Sequence, residues 1–165
     1  MPATALHAPD EDRLEALAEA LAGPGWALLE GMLTPALAEA LATEARGLAT
    51  AGRLVPAGVG RAGSHTGRPD IRGDATCWLD DPACGQAAAD FMAVADGLRQ
   101  ALNRRLMLGM ETLEAHYAHY PPGTGYARHR DRFRDDDARV LSMVTYLNRD
   151  WQPGHGGALR LHLPE

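Results

Sequence analysis

The chain has 165 residues, 45% of them hydrophobic and 23% charged, with a formal net charge of −6. That length supports one domain with a real core, and the composition is ordinary for a soluble globular protein. The acidic balance argues against general binding to nucleic acid or anionic membranes.

No apolar run approaches membrane-spanning length, and residues 1–13 lack the apolar stretch of a secretory signal. A cytoplasmic location is the expectation. All sixteen basic residues are Arg, a bias that reads as codon usage more than function. Cys77 and Cys84 lie seven positions apart, match no zinc pattern, and read as reduced core or loop residues.

Asp10 can cap a first helix that places Leu14, Leu17, Ala18 and Leu21 on one face and stops at Gly23-Pro24-Gly25. Trp26 to Leu33 then reads as a short apolar strand. Thr34-Pro35, a cap followed by proline at the first helical position, opens a second helix with Leu37, Leu41 and Leu48 in register and Gly52 as its stop. Residues 52–75 hold six glycines, two prolines and four arginines and little periodicity, which predicts a long loop of functional kind. Cys77 to Leu79 reads as a short strand. A third helix is predicted over roughly 86–106, carrying Phe91, Val94, Leu98, Leu102 and Leu106.

After Gly109 the period becomes alternating. Strands are predicted over 112–120, up to His129, over 139–147 and over 158–163, with an acidic turn at Asp135 to Asp137 and a loop over 148–157. The pattern is helices first and strands afterwards, with no α/β alternation and no internal repeat.

The stretch Tyr120-Pro-Pro-Gly-Thr-Gly-Tyr126-Ala-Arg-His129-Arg-Asp131 carries the chemistry. On extended backbone, residues i and i+2 share a face, so His129 and Asp131 can grip one metal ion. One nitrogen and one oxygen ligand are two thirds of the facial triad of non-haem Fe(II) oxygenases. The spacing alone is weak. A surface loop of mixed charge, rich in Arg128, Arg130, Arg132 and Arg134, is the competing reading.

Four segments together are more specific. They are Asp70-Ile-Arg-Gly-Asp-Ala-Thr-Cys-Trp78, the Tyr120 to Asp131 stretch, Tyr146-Leu-Asn-x-Asp-Trp151 and Gly156-Gly-x-Leu-Arg160. In order and spacing, over most of residues 25–165, the chain resembles prolyl hydroxylases of the hypoxia-sensing type and their bacterial relatives, which are Fe(II)- and 2-oxoglutarate-dependent dioxygenases.

The resemblance implies an α+β, mainly β fold: a double-stranded β-helix, or jelly roll, supported by N-terminal helices. One dioxygenase domain would cover 1–165, with helical support and a lid loop (52–75) in 10–110 and the first part of the jelly roll in 111–165. It further implies that His129 and Asp131 hold Fe(II), and that Tyr120, Tyr126, Tyr146 and Leu159 line the 2-oxoglutarate pocket. Arg139 and Arg72 would lie toward the substrate. O₂ would be the co-substrate, ascorbate a possible reductant, and a prolyl residue in a protein or peptide the target. The loop 52–75 would close over that peptide.

Blander roles stand beside these. Tyr146 in an apolar strand is more often a core residue with a satisfied hydroxyl. Trp151 reads as structural, and Arg72 with Asp74 reads as an ion pair bracing the loop at least as well as a substrate contact. The family's second iron-binding histidine and its basic partner for the 2-oxoglutarate carboxylate would come after Gly156-Gly-x-Leu-Arg160. Only His155 and His162 follow Asp131, in other positions. The expectation is therefore an N-terminal portion of a longer product, or a natural truncation, with C-terminal strands lacking. Two alternatives are an oxygenase acting on a small molecule such as a free amino acid, and a non-catalytic jelly-roll binding module.

Overall fold

A computed structural model of the chain describes residues 10–58, 68, 70–131 and 139–163. Part of the glycine-rich loop (59–67 and 69, including His65) and the acidic turn at 135–137 lie outside the described residues.

Three helices form, and the first two begin at the predicted caps. Helix α1 spans Glu11–Ala22; the Asp10 side chain accepts from the Arg13 N–H, and Leu14, Leu17 and Ala18 turn inward. Helix α2 spans Pro35–Thr50; the Thr34 hydroxyl accepts from the Leu37 N–H, and Leu37, Leu41, Ala42 and Leu48 are buried. The strands β1 (Val55–Pro56) and β2 (Ala75–Trp78) follow, and then α3 (Gln86–Leu106) and β3 (His116–His119). The strands make one antiparallel sheet in the order β1-β2-β3, with Cys77 opposite Tyr117.

Helix α3 is the spine. Its N-terminal half (Ala87, Ala88, Phe91, Ala95) packs with Leu37, Leu41 and Leu48 of α2 and with Cys77 and Tyr117 of the sheet. Its C-terminal half (Leu98, Ala101, Leu102) packs with Leu14 and Leu17 of α1. The buried Tyr117 hydroxyl donates to Glu44 Oε1 at 2.9 Å, joining sheet to α2. Asn103 then fixes the exit from α3. Its amide nitrogen donates to Met110 O at 2.8 Å, while its oxygen accepts from Met110 N–H at 2.9 Å.

The strand expectations need correction. Residues 26–33 form no strand: they pass through a turn at Glu30 and Gly31, with Gly31 at φ 63°, and Leu28 is exposed. The strand expected over 112–120 shortens to His116–His119, the four residues that pair with β2. Residues 139–147 and 158–163 are strand-like in composition but pair in no ladder among the described residues. A strand exists only where a partner satisfies its backbone. Strands also interleave with helices instead of following them, and helix takes a larger share of the described backbone than strand.

Candidate metal centre

The site is built on a turn. In Pro121-Pro-Gly-Thr124, both the N–H and the hydroxyl of Thr124 donate to Pro121 O, at 3.1 and 2.7 Å, and Gly123 supplies the left-handed residue at φ 82°. The chain leaving this turn is pinned against residues 71–73. Gly73 N–H donates to Gly125 O at 3.0 Å and Ala127 N–H to Ile71 O at 2.8 Å, flanking a single antiparallel bridge between Arg72 and Tyr126. The approach is too close for a side chain on Gly73, since a Cβ there would lie 2.8 Å from Thr124 Cβ.

This anchoring brings the predicted pair together. His129 Nε2 lies 2.9 Å from Asp131 Oδ1, and His129 Nδ1 lies 2.8 Å from Ala127 O. With Nδ1–H donating to that carbonyl, Nε2 presents a lone pair to a carboxylate oxygen. Two acceptors at this distance need a cation or a proton between them. Metal bonds of about 2.1 Å at right angles would set two donor atoms about 3.0 Å apart. The pair therefore fits one edge of a metal's coordination shell, with the carbonyl acting as the partner that orients a ligating imidazole.

The surroundings fix both side chains. The Tyr126 ring stacks on His129, with centroids 3.5 Å apart and planes at 14°, and the Arg72 guanidinium lies 4.9 Å from the Tyr126 ring centre. Arg72 in turn forms a bidentate pair with Asp74 at 2.8 and 3.0 Å. The Asp74 side chain has no exposed surface. Partial burial pushes the Asp131 carboxyl up in pKa. A hydrogen bond from Ser142, the His129 ring and the Arg139 charge outweigh it and hold the group below the usual carboxylate range.

Arg139 stands at the rim. Its guanidinium donates to Glu114 Oε1 at 2.7 Å and to Asp131 O at 3.2 Å. Burial pushes the Tyr120 hydroxyl up to about 12, with the Asp74 charge adding to it. Tyr146 donates to Gly157 O at 2.9 Å and accepts from Leu159 N–H at 2.8 Å, so its hydroxyl is committed within the chain. The Leu159 side chain is exposed. Trp151 donates to Gly156 O at 2.7 Å, in keeping with a structural place. His155 packs into the 3₁₀ turn Pro153–His155 through Gln152. An open apolar cavity of about 250 Å³ between Leu21, Leu106, Val140 and Leu141 includes none of the candidate residues.

Glu114 and the use of Ser142 toward Asp131 escaped the sequence reading. Alternation along 112–120 puts Glu114 on the face of His116, which was the available signal for the former. Alternation puts Ser142 on the face of Tyr146, but nothing local aims it at Asp131. Among the described residues no group of three or more His, Cys, Asp or Glu is placed to hold a metal, so His129 and Asp131 stand as a pair.

A family model of the 2OG-Fe(II) oxygenase superfamily matches residues 115–165, which contain this pair. The crystal structure of a Pseudomonas putida prolyl-4-hydroxylase is 41% identical in sequence and superposes with a TM-score of 0.70, over 85% of this chain and 71% of that one. This chain belongs to the prolyl hydroxylase family of 2OG-Fe(II) oxygenases. Human Egl nine homolog 1 is 34% identical over 102 residues, 58% of this chain and 23% of that protein. Human prolyl hydroxylase EGLN3 is 28% identical over 153 residues, 90% of this chain and 64% of its own length. The chain thus spans less than two thirds of either human relative. Family membership supports the jelly-roll fold with N-terminal helices and implies dependence on Fe(II) and 2-oxoglutarate. No helix among the described residues is long and apolar enough to cross a membrane.

Proposed function

We propose that this chain works as an Fe(II)- and 2-oxoglutarate-dependent dioxygenase that hydroxylates a prolyl residue in a protein or peptide. The observation that carries the reading is the His129 and Asp131 pair, 2.9 Å apart, inside the segment that matches the oxygenase family. Iron held there, with 2-oxoglutarate and O₂, supplies the oxidising power to hydroxylate an unactivated C–H bond.

The chain's own residues bind and orient. His129 and Asp131 offer the metal an imidazole nitrogen and a carboxylate kept ionised by its neighbours. Tyr120, with its pKa raised to about 12, keeps its proton at neutral pH and can donate to an anionic co-substrate. Tyr126 covers the His129 ring, and Tyr146 and Leu159 belong to the proposed co-substrate wall. The Tyr146 hydroxyl must first give up a partner to reach a carboxylate. Arg139, half-exposed, is the residue best placed to meet a peptide at the rim. Arg72 can add to that contact only with the edge not committed to Asp74. Ascorbate as reductant and a cytoplasmic location belong to the same proposal; the free thiols of Cys77 and Cys84 suit a reducing compartment.

The test is direct. Titration of the protein with Mn(II), a stand-in for oxygen-sensitive Fe(II), should show binding that His129→Ala and Asp131→Ala each abolish. Unchanged affinity in both variants would sink the metal site. With Fe(II), 2-oxoglutarate and proline-containing peptides, succinate should form together with a one-oxygen mass gain on proline. Succinate coupled only to a small molecule would move the chain to the other oxygenase reading. Metal binding without succinate would make it a binding module.

A further inference from the structure

The Asp74 side chain is fully withdrawn from solvent, yet it touches neither His129 nor Asp131. A buried carboxylate is costly unless paired and hydrogen-bonded. Here both oxygens accept from one guanidinium, Arg72 Nε and Nη2, at 2.8 and 3.0 Å. Such a fork fixes the guanidinium in position and plane, unlike a single contact. The guanidinium lies over Tyr126, where cation and π-face attract. The face of Tyr126 is in turn spent on His129, at a ring separation of 3.5 Å and nearly parallel. Backbone bonds at Gly73 and Ala127 hold the two segments in one register, so these contacts do not depend on long free side chains.

From this geometry we infer that Asp74 is a positioning residue for the metal ligand His129, acting through Arg72 and Tyr126. The inference rests on the metal site proposed above. The His129 ring has two in-plane contacts, Nδ1 to Ala127 O at 2.8 Å and Nε2 to Asp131 Oδ1 at 2.9 Å, and both leave the plane of the ring free to tilt. The stacked tyrosine removes that freedom and aims Nε2 toward Asp131. The tyrosine is held in turn by a cation that a buried anion cannot release cheaply. Residues that orient a metal ligand from outside characteristically change metal affinity by about 10-fold to 100-fold when altered.

The experiment compares Asp74→Asn, Tyr126→Leu and Tyr126→Phe with the parent chain, with His129→Ala as reference. Two quantities are read: Mn(II) affinity, and the proton shifts of the His129 ring in metal-free protein, which a stacked tyrosine moves upfield. The expected result for Asp74→Asn is about a 10-fold loss of Mn(II) affinity and a loss of the upfield shift, with the signals of the α2–α3 core unchanged. Tyr126→Leu should do the same, and Tyr126→Phe, which keeps the ring, should restore both readings. Should Asp74→Asn unfold the chain, the Leu and Phe pair at 126 still decides whether stacking sets affinity. Full affinity and an unmoved His129 signal in Asp74→Asn or Tyr126→Leu would overturn the positioning role while leaving the metal site standing. If His129→Ala itself binds Mn(II) normally, the metal reading fails and this inference falls with it.

Discussion

The hydroxyl of Tyr146 is shared between the carbonyl of Gly157 and the amide of Leu159, at 2.9 and 2.8 Å. It joins two segments that have no ladder between them. One phenol thus does the work that a strand pair would do elsewhere. Tyr146→Phe removes both bonds at once, a loss of about 1–3 kcal/mol if both are fully made, and less for a half-exposed group. The expected outcome is faster hydrogen exchange at the Leu159 amide with little change in the three helices. An unchanged exchange rate would show that the hydroxyl is not the tie. At this scale the sequence was most informative where a residue acts on near neighbours. Asp10 and Thr34 cap as predicted because a cap and its target lie three residues apart. The bond from Arg139 to Glu114 crosses 25 positions, and no local rule points to it.

Among the elements, the segment around Gly73 decides whether the metal pair is held at all. It lies beside β2 and receives the chain that carries Tyr126 to Asp131 through two backbone bonds. Gly73→Ala would press a methyl against Thr124 Cβ at 2.8 Å, where one partner is itself fixed in a turn. Overpacking of this sort costs about 1–3 kcal/mol. The variant should melt earlier and bind Mn(II) more weakly, since the site shifts with the segment. A normal melting temperature with normal metal affinity would mean that the two segments separate freely.

The three helices were legible because a 3.6-residue period, and in the first two a cap, are local signals. The strands were less so. Residues 139–147 have the β-branched content of a strand, but strand formation depends on a partner, which composition cannot specify. Residues 26–33 were misread for a related reason: a short apolar run with Gly31 inside it suits a turn as well as a strand. The Arg72 to His129 contacts join segments more than fifty positions apart. Only the family resemblance pointed to both as parts of one site; the ion pair of Arg72 with Asp74, expected beside a substrate role, is present.

For the molecule as a whole, stability is concentrated on α3. Leu102 is completely buried, among Leu14, Leu17, Leu98 and Ala101. Leu102→Ala leaves a cavity between α1 and α3 and should cost about 2–5 kcal/mol, read as a lower denaturation midpoint with an unchanged slope. A loss under about 1 kcal/mol would mean that α1 collapses into the gap. The sheet belongs to the other core cluster, and the segment carrying the metal pair is anchored beside it through Ile71 and Gly73, so a surviving folded fraction should keep its metal affinity.

The sharing of α3 between two cores also limits how the length of this chain can vary. An α-helix turns about 100° per residue. One residue inserted near the middle of α3 would swing Leu98, Ala101 and Leu102 away from α1, or Ala87, Ala88 and Phe91 away from α2. Either way one core is sacrificed to keep the other. Loops on both sides can lengthen or shorten at little cost. Over generations of insertion and deletion, then, α3 is the ruler of this chain: its spacing stays fixed while the connections around it drift.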